Sequence, residues 1–166
     1  MHYELELALR HFSFSFNGSL IKSKVDFPAG SKFENRPMQG QSPYLINTGI
    51  FYTNEDNGLN LAVLYNRIGK RIIGVGINDG TTPDGYVNRV PDSYEMPRDA
   101  IDLSASKKLG KHWELKLNVR DLLAQKVTYK AFQQLRYSDG HTKEEEYITR
   151  QYKPGRNFGL TATYKF

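Results

Sequence analysis

The sequence predicts an all-β fold: an antiparallel up-and-down transmembrane β-barrel segment of about seven strands, with short periplasmic turns and long external loops. Three observations carry this. Apolar or aromatic side chains recur at every second position in several segments, so each segment is a strand with two unlike faces. The connections between segments alternate short and long, as in outer-membrane barrels and unlike the Greek-key crossovers of a soluble sandwich. The composition, with 14 Gly, 11 Tyr and 9 Phe in 166 residues, favours strands and turns.

In chain order, Tyr3, Leu5, Leu7 and Leu9 alternate with Glu4, Glu6, Ala8 and Arg10 and predict a first strand, although Glu, Leu and Ala also favour helix. A tight turn near Arg10 and His11 resets the phase, because a hairpin restarts the alternation. Phe12, Phe14, Phe16, Gly18 and Leu20 then share one face, with Ser13, Ser15, Asn17, Ser19 and Ser23 opposite. Residues 28 to 43, rich in Pro and Gly, predict a long loop. In the strand 44 to 53, Ile46, Thr48, Ile50 and Tyr52 face outward and Asn47 and Gly49 inward. Its turn holds Asn57-Gly58, a strong hairpin signal.

The next strand sets Leu59, Leu61, Val63 and Tyr65 against Asn60, Ala62 and Asn66, and can run on to Gly76. Two Asp-Gly pairs and two prolines predict a second long loop over 78 to 93. Ile101, Leu103, Ala105 and Leu109 then oppose Asp102, Ser104, Ser106 and Lys108. After a short turn at 109 to 112, Trp113, Leu115, Leu117 and Val119 alternate with Glu114, Lys116, Asn118 and Arg120. An interruption over 121 to 125 precedes further extended chain, and residues 138 to 146 predict a third polar loop. The last strand places Phe158, Leu160, Ala162 and Tyr164 on one face, in phase with Phe166.

Composition excludes several functions. No apolar run approaches the roughly 20 residues of a membrane helix, whereas a barrel strand, half of which meets water, fits the mean hydropathy of −0.61. The net charge of +5 is scattered, which argues against nucleic acid. Without cysteine there is neither a disulfide nor a thiolate metal site. His2, His11, His112 and His141 lack ligand spacing, and Asp79, Asp84 and Asp92 match no calcium loop. Gly74-Val75-Gly76 reads as a glycine-rich strand end, and Glu144, Glu145 and Glu146 as a solvated acidic tip. No catalytic arrangement emerges, so neither enzyme activity nor a cofactor is expected. The polar face, including Asn66, Asp102, Ser104, Asn118 and Arg120, is expected to line a wet lumen. Arg156 is expected to pair with Asp121 across a hairpin.

Five stretches, in order, resemble one family: NGSLIKSKV (17 to 25), RPMQGQSPYLINTGIFYT (36 to 53), LAVLYNRIGKRIIGVG (61 to 76), YEMPRDAIDLSASKKLGKHWELKLNVRDLLAQ (94 to 125) and YKPGRNFGLTATYKF (152 to 166). Together they resemble the carboxyl-terminal part of the barrel of TonB-dependent receptors, in the form common among Bacteroidota. The resemblance implies a bacterial outer-membrane location and energised uptake of a scarce ligand such as an iron chelate, cobalamin or a glycan. Residues 1–166 match no plug domain and no TonB-contacting segment. The implied partners are outer-membrane lipid, the remaining barrel strands and plug of the same receptor, the TonB complex acting through that plug, and the barrel-assembly machinery. The resemblance makes Phe158, Leu160, Tyr164 and Phe166 the insertion signal which that machinery reads.

A signal peptide is not expected at the amino end, so the chain is expected to be a mature segment or the tail of a longer polypeptide. Seven strands leave two unpaired edges, and the segment is not expected to work alone. Two other readings remain at this point: a self-contained small outer-membrane barrel with a structural or adhesive role, and a soluble β-sheet binding module.

Overall fold

The computed structural model describes residues 9–31, 35–81, 87–136 and 141–166. Among them twelve strands follow one another: β1 (Phe12–Leu20), β2 (Tyr44–Asn54), β3 (Leu59–Ile68), β4 (Arg71–Gly74), β5 (Ile77–Thr81), β6 (Val87–Val90), β7 (Ser93–Glu95), β8 (Arg98–Leu109), β9 (Trp113–Arg120), β10 (Val127–Arg136), β11 (Thr142–Tyr152) and β12 (Asn157–Tyr164). Their pairings are antiparallel throughout. A six-stranded sheet runs β1-β2-β3-β8-β9-β12, a four-stranded sheet runs β11-β10-β7-β4, and β5 and β6 form a ribbon.

These pieces are sections of six long strands. β3, β4 and β5 are successive parts of one strand, and β6, β7 and β8 form its antiparallel partner. β9 with β10 and β11 with β12 make another such pair. The four-stranded sheet therefore continues the second half of the larger one, past a line of breaks at Gly69-Lys70, Met96-Pro97, 121–126 and 153–156. Three of the four breaks have a local cause. Pro97 and Pro154 carry no amide to donate, and Asp121 and Ala124 take left-handed φ angles of 52° and 47°.

The breaks leave few loose ends. Met96 N–H donates to Thr128 O at 2.9 Å, Leu122 N–H to Ile101 O at 2.8 Å and Asp121 N–H to Asp102 Oδ1 at 2.8 Å. Gly58 and Gly76 are among the glycines required by close approach. A Cβ at Gly58, where φ is +66°, would lie 2.7 Å from Lys108 Cβ, and one at Gly76 would lie 1.9 Å from Val90 O.

Six of the seven expected strands match these six. The expected first strand lies outside the described residues except for its end, where Leu9 is helical, as the rival reading has it, and Arg10 and His11 form the turn. Two expected loops are shorter than predicted. Within 78 to 93, the β5–β6 ribbon and the start of β7 are strand, because Ile77 pairs with Val90 and extends the β4–β7 ladder. The acidic tip is strand from Thr142 onward. Tyr147 Oη donates to Glu145 at 2.8 Å, and Glu146 forms an ion pair with Lys130 at 2.8 Å.

Connections at one end of the larger sheet are tight, at 55–58 and 110–112, while the opposite end carries the 21–43 loop and the two long ribbons. β1 and β12 are its edges and do not pair with each other, so the sheet is open among the described residues.

Candidate functional site

The register decides which residues share a face, because directly opposed side chains point the same way. One row reads Phe12, Tyr52, Leu61, Ala105, Leu117, Leu160, and the next reads Phe14, Ile50, Val63, Leu103, Val119, Phe158. Every apolar residue assigned outward from the alternation falls on this face. The face is continuous across six strands and uncovered. Leu160 is 76% exposed and Phe14 68%, and Ile50, Val63, Leu117 and Trp113 are also open.

Both rims of this apolar band are built differently from its middle. At the turn end, Trp113 and Tyr164 meet edge to face with centroids 5.0 Å apart, Phe166 meets Tyr164 at 5.2 Å, and Phe12 meets Tyr52 at 5.0 Å. Two histidines close the strand pairs there in the same way. Thr53 N–H donates to His11 O, while the His11 ring Nδ1–H donates back to Thr53 O at 3.0 Å. His112 and Lys165 repeat the clamp, with the ring bond at 2.9 Å. At the loop end, Arg67 pairs with Asp99 at 2.6 Å, Tyr65 Oη donates to Asp99 at 2.7 Å, and Arg67 Nε donates to Tyr44 Oη at 3.3 Å.

Ten residue steps on β8 separate Asp99 from Leu109, which stands opposite Trp113. At about 3.3 Å per residue and a tilt of about 45°, the band is roughly 23 Å tall. An outer-membrane band measures about 25 Å. The polar intruders within it are neutralised locally. Thr48 Oγ1 donates to Ser15 O at 2.9 Å, and the Lys107 ammonium reaches the turn to donate to Asn57 O at 2.6 Å.

The opposite face is polar, with an apolar pair, Leu45 and Ile68, at its loop end and one apolar patch farther in. Asn66, Asp102, Ser104, Asn118 and Arg120 all lie on it, as the alternation predicts. Asn17, Asn47 and Asn66 stand side by side on three strands, and Asn66 Nδ2 donates to Asn47 Oδ1 at 2.5 Å. Ser104 donates to Asn118 Oδ1 at 3.0 Å. The patch, Phe51 with Leu64, packs into the space that Gly49 leaves; a Cβ there would lie 2.8 Å from the Phe51 ring. It escaped the sequence reading because a strand with apolar residues on both faces blurs the period of two.

The expected Arg156–Asp121 pair is corrected. Asp121 pairs with Arg98 at 2.5 Å, and Arg156 Nε donates to Leu122 O at 2.6 Å. The break turns the Asp121 side chain back toward β8, out of reach of the final hairpin. Of the aspartates considered for calcium, Asp92 is taken by Arg36 at 3.1 Å and by the Gly76 N–H at 2.7 Å. Asp84 and the Asp79 side chain lie outside the described residues, as does His2. Among the described residues no group of three or more His, Cys, Asp or Glu is placed to hold a metal, and no helix is long and apolar enough to cross a membrane.

No protein family, curated protein or solved structure matches the chain.

Proposed function

We propose that the chain is the carboxyl-terminal part of an outer-membrane β-barrel of the TonB-dependent receptor kind, which takes up a scarce ligand together with strands and a plug supplied by further sequence. One observation carries the reading. The apolar face of the six-stranded sheet is in phase on every strand, uncovered, about as tall as a membrane, and bordered by aromatics at one rim and a tyrosine-bound ion pair at the other. Lipid is the solvent that such a face fits. The edges at β1 and β12, open among the described residues, favour a part over a self-contained barrel, since unpaired backbone in hydrocarbon costs several kcal/mol per group. In this reading Asn66, Asp102, Ser104, Asn118 and Arg120 line the lumen, and Phe158, Leu160, Tyr164 and Phe166 form the strand-end signal for barrel insertion.

Trp113 is the only tryptophan and stands at the turn-side rim, so its fluorescence tests the reading directly. The full chain is reconstituted in phosphatidylcholine vesicles whose acyl chains carry bromine at different depths. Blue-shifted emission, quenched most by the shallowest bromines, is expected. Water-like emission that no bromine quenches would refute the lipid assignment.

A further inference from the structure

Beyond the band, a cavity of about 270 Å³ lies between the 21–43 loop and the four-stranded sheet. Its walls are preformed. Ile21 N–H donates to Pro43 O at 2.9 Å and closes the base of the loop, and Met38 N–H donates to Ser23 Oγ at 3.1 Å and ties its two limbs. Gly40 N–H donates to Ile72 O at 2.7 Å and Gln39 Nε2 to Ile73 O at 2.8 Å, which fastens the loop to the free side of β4. Ile72, only 2% exposed, and Tyr94 supply apolar surface, and Pro37 and Pro43 add to it.

The charge on this lining is one-sided. Lys22 and Lys70 both line the cavity, and no carboxylate does. Among the described residues neither lysine has an ion-pair partner, whereas neighbouring charges do, as in Arg71–Glu95 at 2.7 Å and Lys130–Glu146 at 2.8 Å. The Lys70 ammonium rests on two aromatic faces, 4.6 Å from the Tyr94 centroid and 4.8 Å from that of Phe132. Ring faces hold a cation in place without neutralising it. Ser23, Gln41 and Ser42 add polar atoms, and the Ser42 hydroxyl is already engaged, donating to Tyr44 O.

We propose that this cavity binds a small organic carboxylate, with the acid between Lys22 and Lys70 and the apolar body against Ile72 and Tyr94. The site lies wholly on the loop side and stands whether or not the band face meets lipid. Benzoate is the probe and benzamide, its neutral isostere, the control. The full chain is titrated in zwitterionic micelles, with the Gly40 and Ile72 amide resonances as reporters and the whole amide spectrum as the check that each variant folds. Benzoate is expected to shift both resonances and to bind about tenfold tighter than benzamide. Lys22→Gln and Lys70→Gln should each weaken benzoate about fivefold and leave benzamide unchanged, while Lys116→Gln, outside the cavity, changes neither. Equal binding of the two probes, binding of neither, or benzoate binding that survives both cavity substitutions would overturn the proposal.

Discussion

The two sheets are made from the same long strands, yet they treat their apolar residues in opposite ways. On the loop side the chain makes its own interior: Ile72, Val127 and Ala131 are the buried hydrophobic residues among those described, and all three sit in the four-stranded sheet. Past the line of breaks, the larger sheet carries longer and cleaner apolar rows and covers none of them. A chain able to fold a loop over Ile72 could cover Leu117 or Leu160 in the same way. The contrast is between an apolar region that the described chain covers and one that it leaves open, and the proposed lipid contact rests on it.

The most disruptive way to break the comparison is to place a charge on the band. Leu160→Lys should destabilise the chain folded in lipid vesicles by about 3 kcal/mol, the cost of a lysine near the bilayer midplane. Thr163→Lys, on the polar face of the same strand and opposite Glu114, should stay within about 0.5 kcal/mol of the parent. Denaturant unfolding from vesicles measures both. If the two substitutions cost the same, the faces do not meet different solvents and the lipid reading fails.

Which features could be read in advance follows from what alternation encodes. It reports faces, so every residue placed on the apolar side of the larger sheet from its spacing is found there, and so are the polar ones from Asn66 to Arg120. It does not report where a ladder is handed on. The breaks at Asp121 and Ala124 depend on left-handed backbone at residues that rarely adopt it, and for that reason the partner of Asp121 was misassigned to Arg156. The β5–β6 ribbon was missed for a related reason: turn-forming Asp-Gly pairs dominate its composition, while its pairing is inherited from the β4–β7 ladder below it. The cavity between Lys22 and Lys70 joins residues 48 positions apart, and no local pattern marks it.

The boundary between the two regions gives a second, smaller test. Asp121 is anchored there by Arg98, with side chains 30% and 16% exposed, and its Oδ1 is buried with no hydrogen-bond partner among the described residues. Arg98→Met should cost about 2 kcal/mol, less than a fully buried pair because water still reaches the guanidinium. Arg156→Met loses one hydrogen bond to a backbone carbonyl and should cost about 1 kcal/mol. Thermal unfolding of the two variants side by side checks the assignment. A larger loss from Arg156 would restore the pairing first expected from sequence.

The smallest effect discriminates most finely, because it asks what refills a void. Ile72→Val removes one methylene from a site walled by protein atoms, which relax only in part, and should cost about 1 kcal/mol. Ile50→Val removes the same group from the band face; if lipid meets that face, a fluid acyl chain closes the gap at once, and the cost in vesicles should be less than about 0.5 kcal/mol. Paired denaturant titrations resolve the difference if both variants keep the parent's slope. Were Ile50→Val as costly as Ile72→Val, the band would be packed against something as rigid as protein, and a second protein layer would replace lipid as the partner of the face.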